Sequence, residues 1–183
     1  MASEGVDRQS TRRKALAVWA ALCSGPVVLP VVASFVPPLL GTSSDAEFLR
    51  GVMVVPAGTV LLVALLWRVV LLPRALAAKK FADEVAAVVA AQDAATGART
   101  LIERSDERFF AMNLVGIALS EGGGLFAGIG LLLLGVQWLP GALAVGLSLA
   151  LLAAHCPTAA RFDDAAHRVA AAAGLPLGES RDR

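Results

Sequence analysis

A stretch of 28 residues with a single charged side chain, residues 109–136, constrains the fold of this chain more than any other feature. Its sequence is FFAMNLVGIALSEGGGLFAGIGLLLLGV, and the charged residue is Glu121. About 20 mainly apolar residues are enough for a helix to cross a bilayer, so the stretch predicts a transmembrane helix. At a rise of about 1.5 Å per residue, Glu121 is expected about 18 Å past Phe109, near the middle of the membrane.

The composition extends this prediction to the whole chain. Of its 183 residues, 57% are hydrophobic and the mean hydropathy is +0.70, which is too apolar for an ordinary soluble domain of this length. The formal net charge is +1, so the composition offers no polybasic surface for nucleic acid. Cys23 and Cys156 have no paired spacing, which favours two packed thiols over a disulfide or a metal site. We therefore expect one compact protein embedded in a lipid bilayer.

Apolar segments separated by polar ones predict an all-α polytopic membrane protein with a four-helix transmembrane domain. The first apolar segment is too long for the core of a signal peptide, so we interpret it as an uncleaved helix. Pro26 and Pro30 each remove a backbone donor from this helix, which predicts a kink. The predicted order is an N-terminal segment at 1–14, a transmembrane domain at 15–156 with helices at about 15–36, 51–72, 109–136 and 141–156 and a loop at 73–108, and a C-terminal segment at 157–183.

The two polar segments after the second and fourth apolar runs predict amphipathic helices. In the loop 73–108, apolar residues such as Phe81, Val85 and Val89 recur at helical spacing. Gly97 is expected to separate two helices within this loop. The Ala-rich C-terminal segment has the composition of another surface helix.

The distribution of basic residues predicts the orientation in the membrane. All of the 16 Lys and Arg residues except Arg50 and Arg68 fall in the N-terminal segment, the loop 73–108 or the C-terminal segment. Four crossings put these three regions on one side, and the positive-inside rule makes that side the cytoplasm. We therefore expect a cell membrane protein of the bacterial inner-membrane type, with both termini cytoplasmic.

Small residues recur every four positions on the third and fourth predicted helices. Such ladders let helices approach closely in lipid, where van der Waals contact replaces the missing hydrophobic drive. The two helices are joined by only five residues, so we expect the ladders to face each other in a tight hairpin. They also suggest a homo-oligomer or association with other membrane subunits. The ladder residues are Gly116, Ser120, Gly124 and Gly128 on the third helix, and Ala142, Gly146, Ala150 and Ala154 on the fourth.

Glu121 is the main candidate for a functional site. A carboxylate in the middle of a bilayer costs at least about 2.5 kcal/mol, so this side chain is expected to face protein or water. Since burial disfavours the charged form, we expect a carboxyl that is protonated at rest and exchanges its proton when water reaches it. Ser120 and Asn113 are the nearest polar side chains in sequence and are candidate ion ligands beside it.

Residues 109–130, and above all the sequence ALSEGGGLFAGIG, resemble the carboxylate-bearing helix of the proteolipid subunit c of rotary ATPases. In that family a mid-membrane acid is followed by small residues and an aliphatic-aromatic pair. The resemblance implies that the second and third helices correspond to the subunit c hairpin. It also implies that Glu121 is the carboxylate that binds a proton or a sodium ion.

Two other hypotheses remain open at this stage. Glu121 could instead be a neutral hydrogen-bonding residue that fixes helix register in a structural or accessory subunit. A small proton-coupled exporter also uses one acid in a four-helix bundle. We expect neither an enzyme nor a cofactor, because no catalytic set or metal-ligand cluster is recognisable. His155 and His167 are assigned interface and solvent roles.

Overall fold

The computed structural model describes residues 2–40 and 44–176, and every regular element in these residues is a helix. The all-α class predicted from the sequence is therefore confirmed. Met1, residues 41–43 and the end of the predicted C-terminal segment, 177–183, lie outside the described residues. The elements are α1 (Ala2–Leu22), α2 (Ser24–Phe35), α3 (Ser44–Leu66), a π-helical turn (Trp67–Leu71), α4 (Leu72–Leu76), α5 (Lys79–Ala90), α6 (Ala94–Leu134), α7 (Leu139–Ala154) and α8 (Ala159–Ala173).

Several of these helices are long and apolar enough to cross a membrane. By length and composition, three stretches qualify within the described residues, namely Gln9–Phe35, Ala46–Ala90 and Ala94–Leu134. A fourth arises only if α7 and α8 are counted together as one broken span. With 16 residues, α7 alone is about 24 Å long, which is shorter than the hydrocarbon layer of roughly 30 Å.

The kink predicted in the first apolar segment corresponds to a break between α1 and α2. Pro26 has no N–H to donate to the carbonyl of Leu22, and α1 ends at that residue. The helix resumes at Ser24, whose hydroxyl donates to the carbonyl of Ala21 at 2.7 Å. The second proline, Pro30, lies inside α2 without interrupting it.

Helix α6 is longer than the sequence predicts, because it begins at Ala94 instead of near residue 109. The expected separation at Gly97 is not observed, and the chain leaves helical geometry at residues 91–93. Asp93 defines this start, since its carboxylate accepts from the N–H groups of Ala95 and Thr96 at 3.1 and 3.0 Å. An acceptor at this position satisfies amide groups that have no partner inside the helix. Gly97 lies within the first turn, where its N–H donates to the Asp93 carbonyl.

The chain divides into two compact units. We call residues 1–16, 69–113 and 157–183 the charged unit, and residues 17–68 and 114–156 the apolar unit. Of the 16 Lys and Arg residues, all but Arg50 and Arg68 belong to the charged unit. The three segments that carry the predicted cytoplasmic charge are therefore packed together in one unit.

Aromatic and charged contacts join the three segments of the charged unit. The ring of Phe162 is fully buried and meets Phe109 edge-on, with centroids 4.9 Å apart. The guanidinium of Arg12 lies 5.6 Å from the centre of the Phe162 ring and donates to Asp163 at 3.0 Å. Val85, from the loop, packs against α6 and α8 in a small apolar cluster. The N-terminal segment, the loop and the C-terminal segment thus share one core.

The apolar unit is built from two chain segments. The first contains α2 and α3, and the second contains the later part of α6 together with α7. The connection after α2 is fastened to the end of α6, because the N–H of Leu40 donates to the carbonyl of Leu133 at 3.1 Å. Gly135 has a φ of +91°, a left-handed conformation that permits the abrupt turn into α7.

Asp93 provides a test of the start of α6 through its acid–base behaviour. Hydrogen bonds from the backbone and side chain of Thr96 hold the pKa of Asp93 below its ordinary value. A lowered folded-state pKa adds stability above the ordinary aspartate pKa of about 3.9, and this contribution is lost as the pH falls through the folded-state pKa. We therefore expect Asp93→Ala to lower the Tm of the full-length protein at neutral pH, and the difference from wild type to shrink below about pH 4.

The matched control is Asp93→Asn, which keeps an acceptor oxygen at the helix start but does not titrate. Its Tm should stay closer to that of wild type at neutral pH. A Tm difference between wild type and Asp93→Ala that is the same at neutral and acid pH would contradict this role for the carboxylate.

Candidate functional site

Glu121 lies in the part of α6 that belongs to the apolar unit. It follows Leu114, the first α6 residue of this unit, by seven positions, or about 10 Å along the helix. The side chain is half-buried and lies beside the first turn of α2. A Cβ added to Gly25 would be 3.7 Å from Oε1 of Glu121. No hydrogen bond or ion pair joins the Glu121 carboxylate to another residue whose side chain the structure describes.

Ser120 faces a different neighbour from Glu121. Its side chain is fully buried, and its hydroxyl donates to the carbonyl of Gly116 at 2.8 Å. The carbonyl of Ser120 accepts from the hydroxyl of Ser148 on α7 at 2.6 Å. Consecutive residues of an α-helix point about 100° apart, so Ser120 faces α7 where Glu121 faces α2. The structure does not bring this pair together as two ligands of one ion.

Asn113 is also separate from Glu121. It is a buried residue of the charged unit, on the earlier part of α6. Eight positions separate the two residues, which corresponds to a rise of about 12 Å along the helix. Neither of the predicted ligands, Ser120 and Asn113, therefore lies beside the carboxyl of Glu121.

The central part of α6 is in contact with three other helices of the apolar unit. A Cβ added to Gly124 would lie 2.8 Å from Cγ of Pro26 on α2 and would overlap Oγ of Ser148 on α7. A Cβ on Gly123 would lie 2.6 Å from Cγ of Leu61 on α3. These distances are shorter than carbon atoms tolerate, so glycine is what allows the three helices to approach.

The other predicted ladder positions of α6 also lie at helix contacts. A Cβ on Gly128 would lie 2.8 Å from Cβ of Leu29 on α2. Gly116 faces the imidazole of His155, which its Cβ would overlap. Gly116, Ser120, Gly124 and Gly128 are all buried, so this ladder faces its neighbours within the chain.

The ladder predicted on the fourth apolar segment is placed differently. Gly146 is exposed, and a Cβ added there would meet no atom within 4 Å. The face that α7 turns to the rest of the apolar unit instead carries Val145, Ser148 and Leu152. Neighbouring positions of a helix lie about 100° apart, so a buried face that begins one residue earlier leaves the predicted ladder outside. The two ladders do not face each other as the sequence predicts.

His155, in the apolar unit, does not lie where the sequence predicts. It is fully buried instead of lying at an interface, and its Nδ1 is 2.8 Å from the carbonyl oxygen of Leu151. The ring packs against Gly116, and Cδ1 of Trp67 lies 3.0 Å from a Cβ added to the same glycine. The signal in the sequence was its spacing, because His155 continues the buried row of Ser148 and Leu152 by one helical turn.

His167 lies in the charged unit, where it is exposed on α8 with Nδ1 2.7 Å from the carbonyl oxygen of Asp163. Across the residues that the structure describes, no group of three or more His, Cys, Asp or Glu side chains is arranged to hold a metal ion.

Comparison with known proteins gives no match to this chain among protein-family models, curated proteins or solved structures.

The contrast between Gly124 and Gly146 predicts opposite effects of the same substitution. Replacing a helical glycine by alanine stabilises a helix by about 1 kcal/mol when the added methyl group has room. Gly146→Ala should therefore raise the Tm or leave it unchanged. Gly124→Ala should lower the stability by about 1–3 kcal/mol, because Pro26 is rigid and cannot move away from the new methyl group.

Both variants would be purified as the full chain in detergent and compared with wild type by thermal unfolding. Since the chemical change is identical, the difference between them isolates the packing at Gly124. Equal Tm values for Gly124→Ala and Gly146→Ala would contradict the described contact of α6 with α2 and α7.

Proposed function

We propose that this chain is a small polytopic membrane protein in which the carboxyl group of Glu121 reversibly binds a proton. In this proposal four helices cross the bilayer as two hairpins. The charged unit, with both termini and the loop 73–108, lies at the cytoplasmic side. The observation that carries the proposal is an acid without a hydrogen-bonding or ionic partner among the described side chains of the apolar unit.

The packing of the charged unit supports an even number of membrane crossings in each of the two chain segments that connect its parts. Residues 1–16, 69–113 and 157–183 share one core, so they lie on the same side of any membrane that the chain crosses. The intervening segments 17–68 and 114–156 must then each cross an even number of times. Two crossings for each segment give the four-helix topology, and the 14 basic residues of the charged unit favour the cytoplasmic side.

The surroundings of Glu121 favour proton binding over structural hydrogen bonding. An acid that fixes helix register should bond to a neighbouring helix, yet Ser120 and Ser148 make that bond between α6 and α7. Glu121 lies instead beside the break between α1 and α2, where Pro26 leaves the carbonyl of Leu22 without its usual helical donor. Broken helices in membranes are tolerated where protein, water or an ion satisfies the freed backbone groups.

The positions of the predicted ligands favour a proton over a metal cation at Glu121. A bound cation such as calcium or magnesium needs about six oxygen ligands, and the predicted ligands Ser120 and Asn113 do not lie beside the carboxyl. A proton needs only the carboxylate itself. The proposal therefore assigns Glu121 the binding of a proton and gives no ligand role to the other two residues.

The test is a titration of the carboxyl group by difference infrared spectroscopy on the full chain in nanodiscs. Wild type should show a band of a protonated carboxyl that appears and disappears reversibly as the pH is changed. This band should be missing from Glu121→Gln and retained in Glu107→Gln, a matched change at an exposed acid of the charged unit. Sodium should not shift the band.

Two outcomes would contradict proton binding at this residue. A Glu121 band that stays constant at every accessible pH would identify a permanently neutral structural acid. A band that shifts with sodium at fixed pH would identify a cation site instead.

A second candidate function, a structural or accessory subunit, is favoured by the exposed face of α7. Ala142, Gly146 and Ala150 lie on this face, and nothing within the described residues packs on Gly146. Small residues in such a row are typical of contacts between membrane helices. In this case Glu121→Gln should leave the stability and the association of the protein unchanged.

The accessory role predicts that Gly146→Leu disrupts association without unfolding the chain. The larger side chain has room in the isolated chain but would keep a second helix from approaching. The measurement is the mass of the purified protein in detergent, by light scattering, with Gly58→Leu as a control at an exposed glycine of α3 that also has no neighbour within 4 Å. An unchanged mass for Gly146→Leu would remove the reason for this candidate.

A further inference from the structure

The connections of the two hairpins border a groove in the apolar unit that the proposed function leaves unused. Its volume is about 480 Å³, within the range of roughly 300–1,000 Å³ of small-molecule sites. It lies where the connection after α2 meets the turn between α6 and α7. Its lining includes Pro38, Arg50, Gln137, Trp138, Leu139 and Pro140.

Arg50 gives this groove a positive charge. It is one of two Lys or Arg residues in the apolar unit, and the other, Arg68, follows 18 positions later in the π-helical turn Trp67–Leu71. No ion pair joins Arg50 to another residue whose side chain the structure describes, Glu47 one turn earlier included. A guanidinium with its donors available is suited to a phosphate, which it binds through two parallel hydrogen bonds.

The rest of the lining suits an amphiphilic ligand. The indole of Trp138 is held between Gly130 and Gly141, where glycine leaves room for the ring, so one wall is rigid. Leu139 lines the groove and is 65% exposed, and Leu39, next to Pro38, is 67% exposed. Exposed leucines beside a lone cation are expected where the hydrocarbon layer meets the headgroups, and tryptophan is enriched at that depth.

We propose that this groove binds an anionic phospholipid, with the phosphate at Arg50 and the acyl chain on the apolar lining near Leu139. The amide of Gln137 is a further donor for the headgroup. The site depends on the membrane location proposed above but not on proton binding at Glu121. Glu121→Gln should therefore leave lipid binding intact, so failure of either proposal can be recognised separately.

The experiment is native mass spectrometry of the full chain in detergent with added phosphatidylglycerol or phosphatidylcholine of the same acyl length. Wild type should retain phosphatidylglycerol preferentially. Arg50→Gln should weaken that retention roughly tenfold or more, because a charge-assisted hydrogen bond is lost. Arg168→Gln is the matched control, since this exposed arginine belongs to the charged unit and pairs with Asp164 at 2.8 Å.

A second pair of variants decides the question if Arg50→Gln does not fold. Leu139→Glu places a negative charge in the groove at an exposed position and should abolish the preference for phosphatidylglycerol. Leu139→Gln has nearly the same size without the charge and should retain it.

Three results would overturn the proposal. The first is equal retention of both lipids by wild type, and the second is unchanged phosphatidylglycerol retention in both Arg50→Gln and Leu139→Glu. The third is displacement of the lipid by millimolar inorganic phosphate, which would assign the groove to a free anion.

Discussion

The close contact of α6 with its neighbours is the constraint on which the apolar unit depends. Three helices meet α6 within the short run Gly123 to Gly128, and at Gly124 two of them touch the same position. Inside a membrane no hydrophobic effect drives helices together, so stability comes from how closely their backbones approach. The position of Glu121 follows from this packing, because the faces of α6 on either side of it are occupied.

Charged and apolar segments alternate along the chain, but in the structure they separate into two units. Three charged segments that are far apart in sequence share the core around Phe162, and two apolar segments form the other unit. The bond between Arg12 and Asp163 joins residues 151 positions apart. A contact of this kind holds α1 and α8 in the same unit, which limits the topologies that the apolar segments can adopt.

The sequence predicted that the chain is helical, but not where α6 begins or which face of α7 is buried. Long apolar runs predicted the helical class, because a bilayer requires backbone groups to be satisfied within each segment. It did not predict that α6 begins at Ala94, since the start depends on hydrogen bonds to Asp93 and not on hydropathy. It also placed the packing face of α7 on Gly146, although the buried face begins one residue earlier.

Sequence position also fails to predict which residues lie beside the carboxyl of Glu121. Ser120 is adjacent in sequence, but adjacency in a helix means a rotation of about 100°, and the serine bonds to α7. Gly25, which lies beside the carboxyl, is almost 100 positions away in the chain. Proximity of this kind depends on how α2 packs against α6, and hydropathy patterns carry no information on it.

The glycine run 122–124 has a consequence for how the protein is made. Glycines lose more conformational freedom on folding than other residues, so this part of α6 is the least able to hold a helix alone. Its partners on α2 and α3 are synthesised before it, whereas Ser148 on α7 is synthesised after it. The middle of α6 therefore completes its packing only when α7 has left the ribosome, after α2 and α3 have already been made.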